Sequence, residues 1–365
     1  MSPLEDLIRK RIAADGPLTV ADFMALALGH PEYGYYMKGD PFGGAGDFIT
    51  APEISQVFGE LIGLWSAMTW RQIGAPSKII LIECGPGRGT LMSDLLRAAN
   101  TVPRFLDAVE IHLVETSPAM RERQRATLTG HTPQWHDILE TVPAGPTILI
   151  ANEFLDALPI RQLVRTENGW AERRVGLAAK GLVFETGEDV SNAVLPVPPP
   201  DKHPRPGSIF EICPAALSFA DTLNRRLSDN PGAALFIDYG HGQSGVGDTL
   251  QAVQAQKYAD ILVHPGDADL TAHVDFDAFG RRLRDGGSRT MGPVTQSAFL
   301  MALGIEERTK QLTAGIAPDI AATLRSGTER LTAQNQMGEL FKVMVATHAD
   351  SPTLAGFETT VDSEC

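Results

Sequence analysis

The 365-residue chain carries 31 Lys and Arg against 45 Asp and Glu, a formal net charge of −14. This length allows two domains or one elaborated α/β domain, and 43% apolar with 21% charged residues is typical of a globular protein. The acidic charge argues against general binding of nucleic acid or of anionic membrane surfaces, and it favours a cationic substrate or a basic protein partner. The three cysteines are far apart and show neither a disulfide framework nor a zinc spacing, so we expect a reducing compartment.

No stretch of sequence approaches the ~20 apolar residues that a membrane span needs. The N-terminal segment MSPLEDLIRKRIAADG contains Glu5, Asp6 and Asp15 in place of the uncharged apolar segment of a signal peptide. We therefore expect a cytoplasmic protein without a membrane span. The sequence makes no prediction of the oligomeric state.

Residues 1–75 predict a mostly helical region that contains one unusual loop. Three glycines between positions 43 and 46 lead into Thr50-Ala51-Pro52-Glu53. Thr50 followed by Glu53 fits a capping box, and Pro52 falls in the first turn, where proline is tolerated. The apolar residues that follow recur at helical spacing, so we predict an amphipathic helix that begins here and buries one face.

The glycine-rich loop suggests a mobile cover for a binding site. Its glycines favour mobility, and its carboxylates suit a cationic target. We therefore predict that residues 43–53 form a lid over the cofactor and the substrate entrance, with a rigid glycine turn as the alternative. The candidate lid and substrate residues are Gly46, Asp47, Phe48, Thr50 and Glu53.

Downstream of residue 75, short apolar runs alternate with segments of helical spacing. This alternation predicts a mostly parallel sheet covered on both faces, in a domain that spans 76–365 with insertions at about 160–210 and 240–335. Asn168-Gly169 lies between two alternating runs and predicts an antiparallel hairpin. The proline-rich stretch from Val194 to Gly207 predicts an extended connector. The predicted strands are 78–83, 110–115, 147–151 and 233–238, and the predicted helices are 90–99 and 118–127.

The sharpest motif is ECGPGRGT, residues 83–90, which directly follows a predicted strand and precedes a predicted helix. Glycines in this context let the backbone turn sharply and approach a ligand closely, while the helix N-terminus points its N–H groups toward that ligand. The motif therefore predicts a nucleotide-type cofactor site. The candidate cofactor-binding residues in it are Glu83, Gly85, Pro86, Gly87 and Gly89.

Two cofactors compete for this loop. A dinucleotide fingerprint has the spacing G-x-G-x-x-G, whereas here the glycines run G-x-G-x-G. Glu83 lies two residues before Gly85, and a carboxylate about 4 Å from a phosphate would cost roughly 4 kcal/mol at an effective dielectric constant of 20. S-adenosylmethionine carries a sulfonium and an ammonium group, both of which attract a carboxylate. The loop therefore favours S-adenosylmethionine over NAD.

Polar residues at the ends of the neighbouring strands complete the predicted site. Glu115 ends the second strand, where a carboxylate can accept hydrogen bonds from both ribose hydroxyls. Asp137 ends a further predicted strand and could accept from the adenine amino group. Asn152, Glu153 and Asp156 follow the next apolar strand, and the carboxyl ends of parallel strands line the ligand crevice, so we expect them near the transferred group.

Several stretches together resemble the MidA family of S-adenosylmethionine-dependent methyltransferases, formerly grouped as a domain of unknown function (DUF185). The family includes a mitochondrial complex I assembly factor that methylates an arginine of a core complex I subunit. The matching stretches are GDFITAPEIS (46–55), ECGPGRGTL (83–91), HLVE (112–115), NEFLDALP (152–159), DYGH (238–241), ADLTAHVDF (268–276) and QMGE (336–339).

The resemblance implies a class I methyltransferase fold, Rossmann-like, with a mostly parallel seven-stranded sheet, an N-terminal helical region and an inserted subdomain. It implies S-adenosyl-L-methionine as the cofactor and an arginine-bearing segment of a protein partner, a respiratory complex I subunit, as the substrate. The absence of an Arg-rich, acid-poor transit segment is consistent with a bacterial, cytoplasmic member.

Methyl transfer to arginine requires groups that hold the cationic guanidinium and accept a proton as the new bond forms. We predict Glu153 and Asp156 as the catalytic carboxylates, with the two lid carboxylates as alternates. His241 and His273 are alternative bases, although a structural role is favoured for each.

No Gly-x-Ser-x-Gly elbow, His-Glu-x-x-His motif or Cys–His zinc spacing appears, so we expect neither hydrolase nor metal chemistry. Three functions remain. A methyltransferase is the leading one, a non-catalytic assembly or scaffold protein that retains the cofactor pocket is the second, and an NAD-dependent oxidoreductase is the third.

Overall fold

The computed structural model describes residues 2–38, 50–190 and 204–358. The helices are α1 (Pro3–Asp15), α2 (Val20–Gly29), α3 (Ala51–Ile54), α4 (Gln56–Gln72), α5 (Thr90–Ala99), α6 (Phe105–Ala108), α7 (Pro118–Thr127), α8 (Pro214–Asp229), α9 (Phe276–Asp285), α10 (Gln296–Ala302), α11 (Ile305–Thr313) and α12 (Pro318–Thr332). Short helical turns lie at Tyr35–Met37, Leu139–Thr141 and Gln334–Gly338. Among these residues, none of the helices combines the length and the apolar character that crossing a bilayer requires.

The strands, again in chain order, are β1 (Leu18–Thr19), β2 (Ile79–Cys84), β3 (Val109–Val114), β4 (Gln134–His136), β5 (Thr147–Asn152), β6 (Arg161–Arg165), β7 (Trp170–Ala178), β8 (Gly181–Val190), β9 (Ile209–Ile212), β10 (Gly232–His241), β11 (Gln251–Gln254), β12 (Lys257–Ala259), β13 (Asp269–Thr271), β14 (Val274–Asp275), β15 (Arg289–Thr295) and β16 (Phe341–Thr347). The strands and the two helices predicted downstream of residue 75 are all present, with ends that differ by at most a few residues.

The chain divides into two compact units. The first comprises residues 1–48, 155–218 and 243–279, and the second comprises 49–154, 219–242 and 280–365. The predicted N-terminal region 1–75 is shared between them, because α1 and α2 pack in the first unit and α4 packs on α5 in the second. The predicted insertion at 240–335 is shared as well, since its later part supplies β15 and α10 to α12 to the second unit.

The second unit is built on a central sheet with the strand order β15-β16-β10-β5-β2-β3-β4. Strands β10, β5, β2, β3 and β4 run parallel to one another, whereas β16 runs antiparallel to both β10 and β15. Every residue of β2 and of β5 is buried, as expected for strands covered on both faces. This architecture confirms the predicted class I methyltransferase fold with its mostly parallel sheet.

Helix α4 packs closely on α5 because two glycines remove the side chains between them. A Cβ at Gly63 would lie 2.4 Å from the Leu95 carbonyl oxygen, and one at Gly59 would lie 2.6 Å from the Asp94 Cβ. The close packing fixes the N-terminus of α5, and with it the end of the glycine loop, against α4.

The first unit consists of α1 and α2 with two antiparallel sheets. The predicted hairpin is present as β6 and β7, and β7 also pairs with β8. Strands β12, β11 and β13 form a separate three-stranded sheet. Leu4, Phe23 and Met24 of the helices share one apolar core with Val175 and Leu270 of the sheets. Residues 194–203, most of the predicted proline-rich connector, lie outside the described residues.

Candidate active site

The loop of residues 85–89 joins the carboxyl end of β2 to the N-terminus of α5. Its three glycines adopt left-handed backbone conformations, with φ of +65° at Gly85, +49° at Gly87 and +81° at Gly89. The Gly89 N–H donates to the Pro86 carbonyl oxygen at 2.8 Å, which closes the turn. A Cβ at Gly85 would lie 3.2 Å from the Phe154 ring. The sequence needs glycine here because side chains would strain the backbone and fill the space around it.

Glu83 lies at the end of β2, immediately before this loop. The residue is only 3% exposed, and its Oε2 accepts no hydrogen bond from any residue in the described part of the chain. Burial raises the pKa of this carboxyl to about 8. A buried carboxyl oxygen without a donor, at the mouth of a glycine loop, suits a ligand that brings its own N–H groups and a positive charge.

Glu115 follows β3, the strand next to β2. Its Oε1 accepts from the Ser117 N–H at 2.8 Å, and its Oε2 accepts from the Gln124 side-chain amide at 3.1 Å. Burial raises the pKa of the Glu115 carboxyl, and the hydrogen bonds from Ser117 and Gln124 act in the opposite direction. Because a carboxylate offers about four acceptor positions, each oxygen retains room for a ligand hydroxyl.

Asp137, the predicted adenine ligand, follows β4 at the edge of the sheet. Its side chain is 76% exposed and forms an ion pair with Arg121 at 2.6 Å. The Arg121 Nε also donates to the Glu115 carbonyl oxygen at 2.8 Å. Asp137 is therefore linked to Glu115 through Arg121, and its contact with adenine stays a prediction.

The turn after β5 is strained and held from two sides. Asn152 is buried, its Nδ2 lies 3.1 Å from the Glu153 Oε1, and its Oδ1 accepts no hydrogen bond from the described residues. Glu153 has φ of +50°, which is unusual for a residue with a side chain, and its N–H donates to the Ile237 carbonyl oxygen at 2.8 Å. Its Oε1 also accepts from the Ala51 N–H at 3.1 Å, so Glu153 caps the N-terminus of α3.

The predicted capping box at Thr50 is wrong. Thr50 occupies the N-cap position, but its side chain makes no capping hydrogen bond. The Glu53 N–H, which a capping box would direct to the Thr50 hydroxyl, donates to the Thr50 carbonyl oxygen at 2.9 Å. The Glu153 carboxylate accepts from the Ala51 N–H. Glu53 accepts from the Thr90 hydroxyl at 2.5 Å and lies 3.6 Å from the Arg88 guanidinium. The helix N-terminus is thereby tied to the glycine loop.

The predicted single helix after Thr50 is also wrong. It is broken at Ser55, where φ is −155°, and the Ser55 hydroxyl caps the separate helix α4. The other candidate lid residues, Gly46, Asp47 and Phe48, lie outside the described residues.

Asp156, the second predicted catalytic carboxylate, belongs to the first unit, whereas Glu153 belongs to the second. Asp156 is buried, and its carbonyl oxygen accepts from the Ala272 N–H at 3.0 Å. Nearby in the same unit, the Tyr36 hydroxyl donates to Asp269 Oδ1 at 2.8 Å. Burial and the carboxylates of Asp269 and Asp156 raise the pKa of Tyr36 well above its usual range.

Two buried side chains that the sequence reasoning missed hold the site together. Asp238 in β10 accepts from the Phe154 N–H at 3.1 Å and so fixes the turn after β5. Gln124 in α7 is fully buried, and its Nε2 donates to the Gly87 carbonyl oxygen at 2.7 Å and to Glu115. The available signal was the position of Gln124 one turn after the buried Met120, which places a polar residue on the apolar face of α7.

Comparison with known proteins agrees with this geometry. Residues 61–294 match the model of the S-adenosyl-L-methionine-dependent methyltransferase family Methyltransf_28. The protein arginine methyltransferase NDUFAF7, mitochondrial, of Danio rerio is 37% identical over 92% of this chain and 84% of its own length. The Homo sapiens protein of the same name is 34% identical over 93% of this chain and 82% of its own length.

A solved structure is also similar over nearly the whole chain. A COG1565 superfamily member from Burkholderia thailandensis, crystallised with bound S-adenosyl-homocysteine, is 27% identical with a TM-score of 0.85. The similarity covers 98% of this chain and 95% of that one. The family match removes the support for an NAD-dependent oxidoreductase and confirms the MidA-type resemblance. The chain belongs to the Methyltransf_28 family of S-adenosyl-L-methionine-dependent methyltransferases.

Proposed function

We propose that the protein transfers the methyl group of S-adenosylmethionine to an arginine side chain of a protein partner. The observation that carries the choice of substrate is the similarity to proteins named protein arginine methyltransferase, at 34–37% identity over more than nine-tenths of this chain. The net charge of −14 supports the same substrate class, since it favours approach of a basic segment.

The residues at the carboxyl ends of β2 and β3 fit the family's cofactor. Glu83 would accept hydrogen bonds from the cationic amino group, because its buried Oε2 has no donor among the described residues. Glu115 would accept from the ribose hydroxyls with its remaining acceptor positions. When bound, the cofactor supplies an electrophilic methyl group, so the protein's task is to position the nucleophile and to accept its proton.

We assign the arginine side of the site to Glu153 and Asp156. An arginine guanidinium is always protonated in water, so it must be held by carboxylates and must lose a proton during transfer. The orientation of Glu153 is set by the Ala51 N–H and by the Asn152 amide, both of which bind its Oε1. This fixed carboxylate suits the holding of a planar cation, and Asp156 is the second carboxylate of the predicted pair.

Labelling with the cofactor tests this function. Purified protein is incubated with methyl-labelled S-adenosylmethionine and a bacterial lysate, and labelled peptides are identified by mass spectrometry. We expect label on arginine. Glu153→Gln and Asp156→Asn should lose labelling but retain binding of S-adenosylhomocysteine, and the control Glu122→Gln, at a 75% exposed side chain, should behave as the wild type. Cofactor binding without any labelled protein would instead support the scaffold alternative.

We further propose that the substrate is a respiratory complex I subunit and that the protein acts in the bacterial cytoplasm. The resemblance to the MidA family supports the substrate. Within the part of the chain that the structure describes, Cys84 and Cys213 are free thiols, which is consistent with a reducing compartment. A deletion strain should lose one arginine methylation on complex I, and cell fractionation should find the protein with cytoplasmic markers. Intact methylation in the deletion strain would contradict the proposed substrate.

A further inference from the structure

The side-chain amide of Gln124 has only one orientation that satisfies its neighbours. Its Nε2 donates to the Gly87 carbonyl oxygen at 2.7 Å and to Glu115 Oε2 at 3.1 Å. Its Oε1 accepts from the Trp135 indole N–H at 2.8 Å. Turning the amide over would place an oxygen against two acceptors and an NH₂ group against a donor. Three contacts therefore determine the position of both amide atoms.

The two acceptors of the Gln124 Nε2 group come from different parts of the candidate cofactor site. Gly87 belongs to the loop after β2, and Glu115 to the end of β3. Gln124 itself is fully buried, and a hydrogen bond to a charged group such as the Glu115 carboxylate contributes about 1.5–3 kcal/mol. The amide therefore binds the loop backbone and the Glu115 carboxylate at once.

We propose that Gln124 is a positioning residue that fixes the Glu115 carboxylate relative to the glycine loop, so that the two parts of the cofactor site keep one geometry. Trp135 in turn fixes Gln124. The Trp135 ring is itself held by the Arg125 guanidinium, whose central carbon lies 4.5 Å from the ring centroid. This role rests on the assignment of the site to S-adenosylmethionine, and it concerns binding rather than the choice of methyl acceptor.

The test compares two fully buried glutamines. Gln124→Met keeps the side-chain length and removes the three hydrogen bonds. Gln296→Met is the matched control, because Gln296 is equally buried but donates to the Leu331 carbonyl oxygen, outside the candidate site. Binding of S-adenosylhomocysteine is measured by calorimetry, and thermal unfolding is measured without ligand.

We expect both variants to unfold at lower temperature, and only Gln124→Met to lose affinity, by about tenfold. A double-mutant cycle adds a measurement that a purely structural role would not change. Glu115→Gln should weaken binding less in the Gln124→Met background than in the wild type, because the carboxylate is already misplaced there.

Unchanged affinity of Gln124→Met, or additive effects in the cycle, would overturn the proposal. If Gln124→Met does not fold, Trp135→Phe carries the test, since it keeps an aromatic ring beside Arg125 and removes the indole N–H together with part of the indole ring system. A several-fold loss of affinity in Trp135→Phe would support the proposal, and wild-type affinity would overturn it. Absence of binding by the wild-type protein would instead contradict the cofactor assignment itself.

Discussion

The buried carboxyl of Glu83 makes cofactor binding a proton-linked event. With a pKa of about 8 the group is mostly protonated at pH 7 in the free protein, and an ammonium group placed beside it would lower that pKa. We therefore expect binding of S-adenosylhomocysteine at pH 7 to release up to one proton. Calorimetry in two buffers with different ionisation enthalpies measures this number. Glu83→Gln should abolish the dependence on buffer, and a wild type without buffer dependence would contradict the role of Glu83.

A second residue-scale prediction concerns two histidines at the β3–β4 edge. His112 Nδ1 lies 2.9 Å from His136 Nε2. Desolvation lowers the pKa of His112 to about 4, His136 and Arg226 lower it further, and Glu110 acts in the opposite direction. The folded pKa is depressed, so the unfolded chain binds more protons in acid and stability falls as the pH drops from about 6.5 to 4. Thermal unfolding should show this loss.

The matched control for the histidine pair is His131→Gln, at an exposed loop position. We expect His112→Gln to flatten the dependence of the unfolding temperature on pH between 6.5 and 4, while His131→Gln leaves it unchanged. Equal pH profiles for His112→Gln and the wild type would show that the pair does not carry the acid sensitivity.

At the scale of elements, valine substitutions at two glycines distinguish the effect of backbone strain on stability from the effect of a lost ligand contact on binding. Gly87 and Gly130 both have positive φ, of +49° and +94°. A Cβ at Gly130 would meet no atom of the described residues within 4 Å. Valine at either position should cost about 1–2 kcal/mol of stability, because β-branched residues disfavour the left-handed region. Only Gly87→Val should abolish binding of S-adenosylhomocysteine in calorimetry; equal binding by both variants would place the cofactor elsewhere.

The elements also show where sequence reasoning succeeds. The ends of β2, β3 and β5 could be predicted to within one residue, because short apolar runs there end at glycine or at a polar residue. Glu83, Glu115 and Asn152 were found as candidates for the same reason, since a strand end is visible in the sequence. Each of these three residues ends a short apolar run, which is a pattern of neighbouring residues in the sequence.

Contacts between distant segments could not be predicted in this way. The capping box failed because local spacing does not show that the Glu53 carboxylate binds the Thr90 hydroxyl, 37 positions later. Nor does it show that Glu153, 102 positions from Ala51, caps the same helix end. Gln124 was missed because its partner Gly87 lies 37 positions earlier. A hydrogen bond between remote segments leaves no periodic signal, whereas a polar residue on an apolar helix face does leave one.

On the scale of the whole molecule, the acidic charge should act on the protein substrate and not on the cofactor. Long-range attraction between a chain of net charge −14 and a basic segment is screened by salt, with a Debye length of about 8 Å at physiological ionic strength. We expect the KM for the protein substrate to rise between about 50 and 200 mM salt, a range over which the Debye length falls to about half. Calorimetric affinity for S-adenosylhomocysteine should change little, and equal salt dependence of both would contradict this account.

At the same scale, the chain divides into two compact units, and one boundary between them lies between Phe154 and Leu155. Glu153 and Asp156 are three positions apart in the sequence, yet they fall in different compact units. The sequence could place both after one strand, but it could not show that the chain leaves the second unit between them. Composition and periodicity are local properties, whereas a unit boundary depends on which segments pack together.

The central claim is that the carboxyl ends of β2 and β3 form a site for S-adenosylmethionine. Parallel calorimetric titrations of the wild-type protein with S-adenosylhomocysteine and with NAD test it most directly, with Glu115→Ala as the companion variant. We predict one-to-one binding of S-adenosylhomocysteine, no heat from NAD, and a loss of about 1.5–3 kcal/mol of binding free energy in Glu115→Ala. Binding of NAD without any response to S-adenosylhomocysteine would contradict the account.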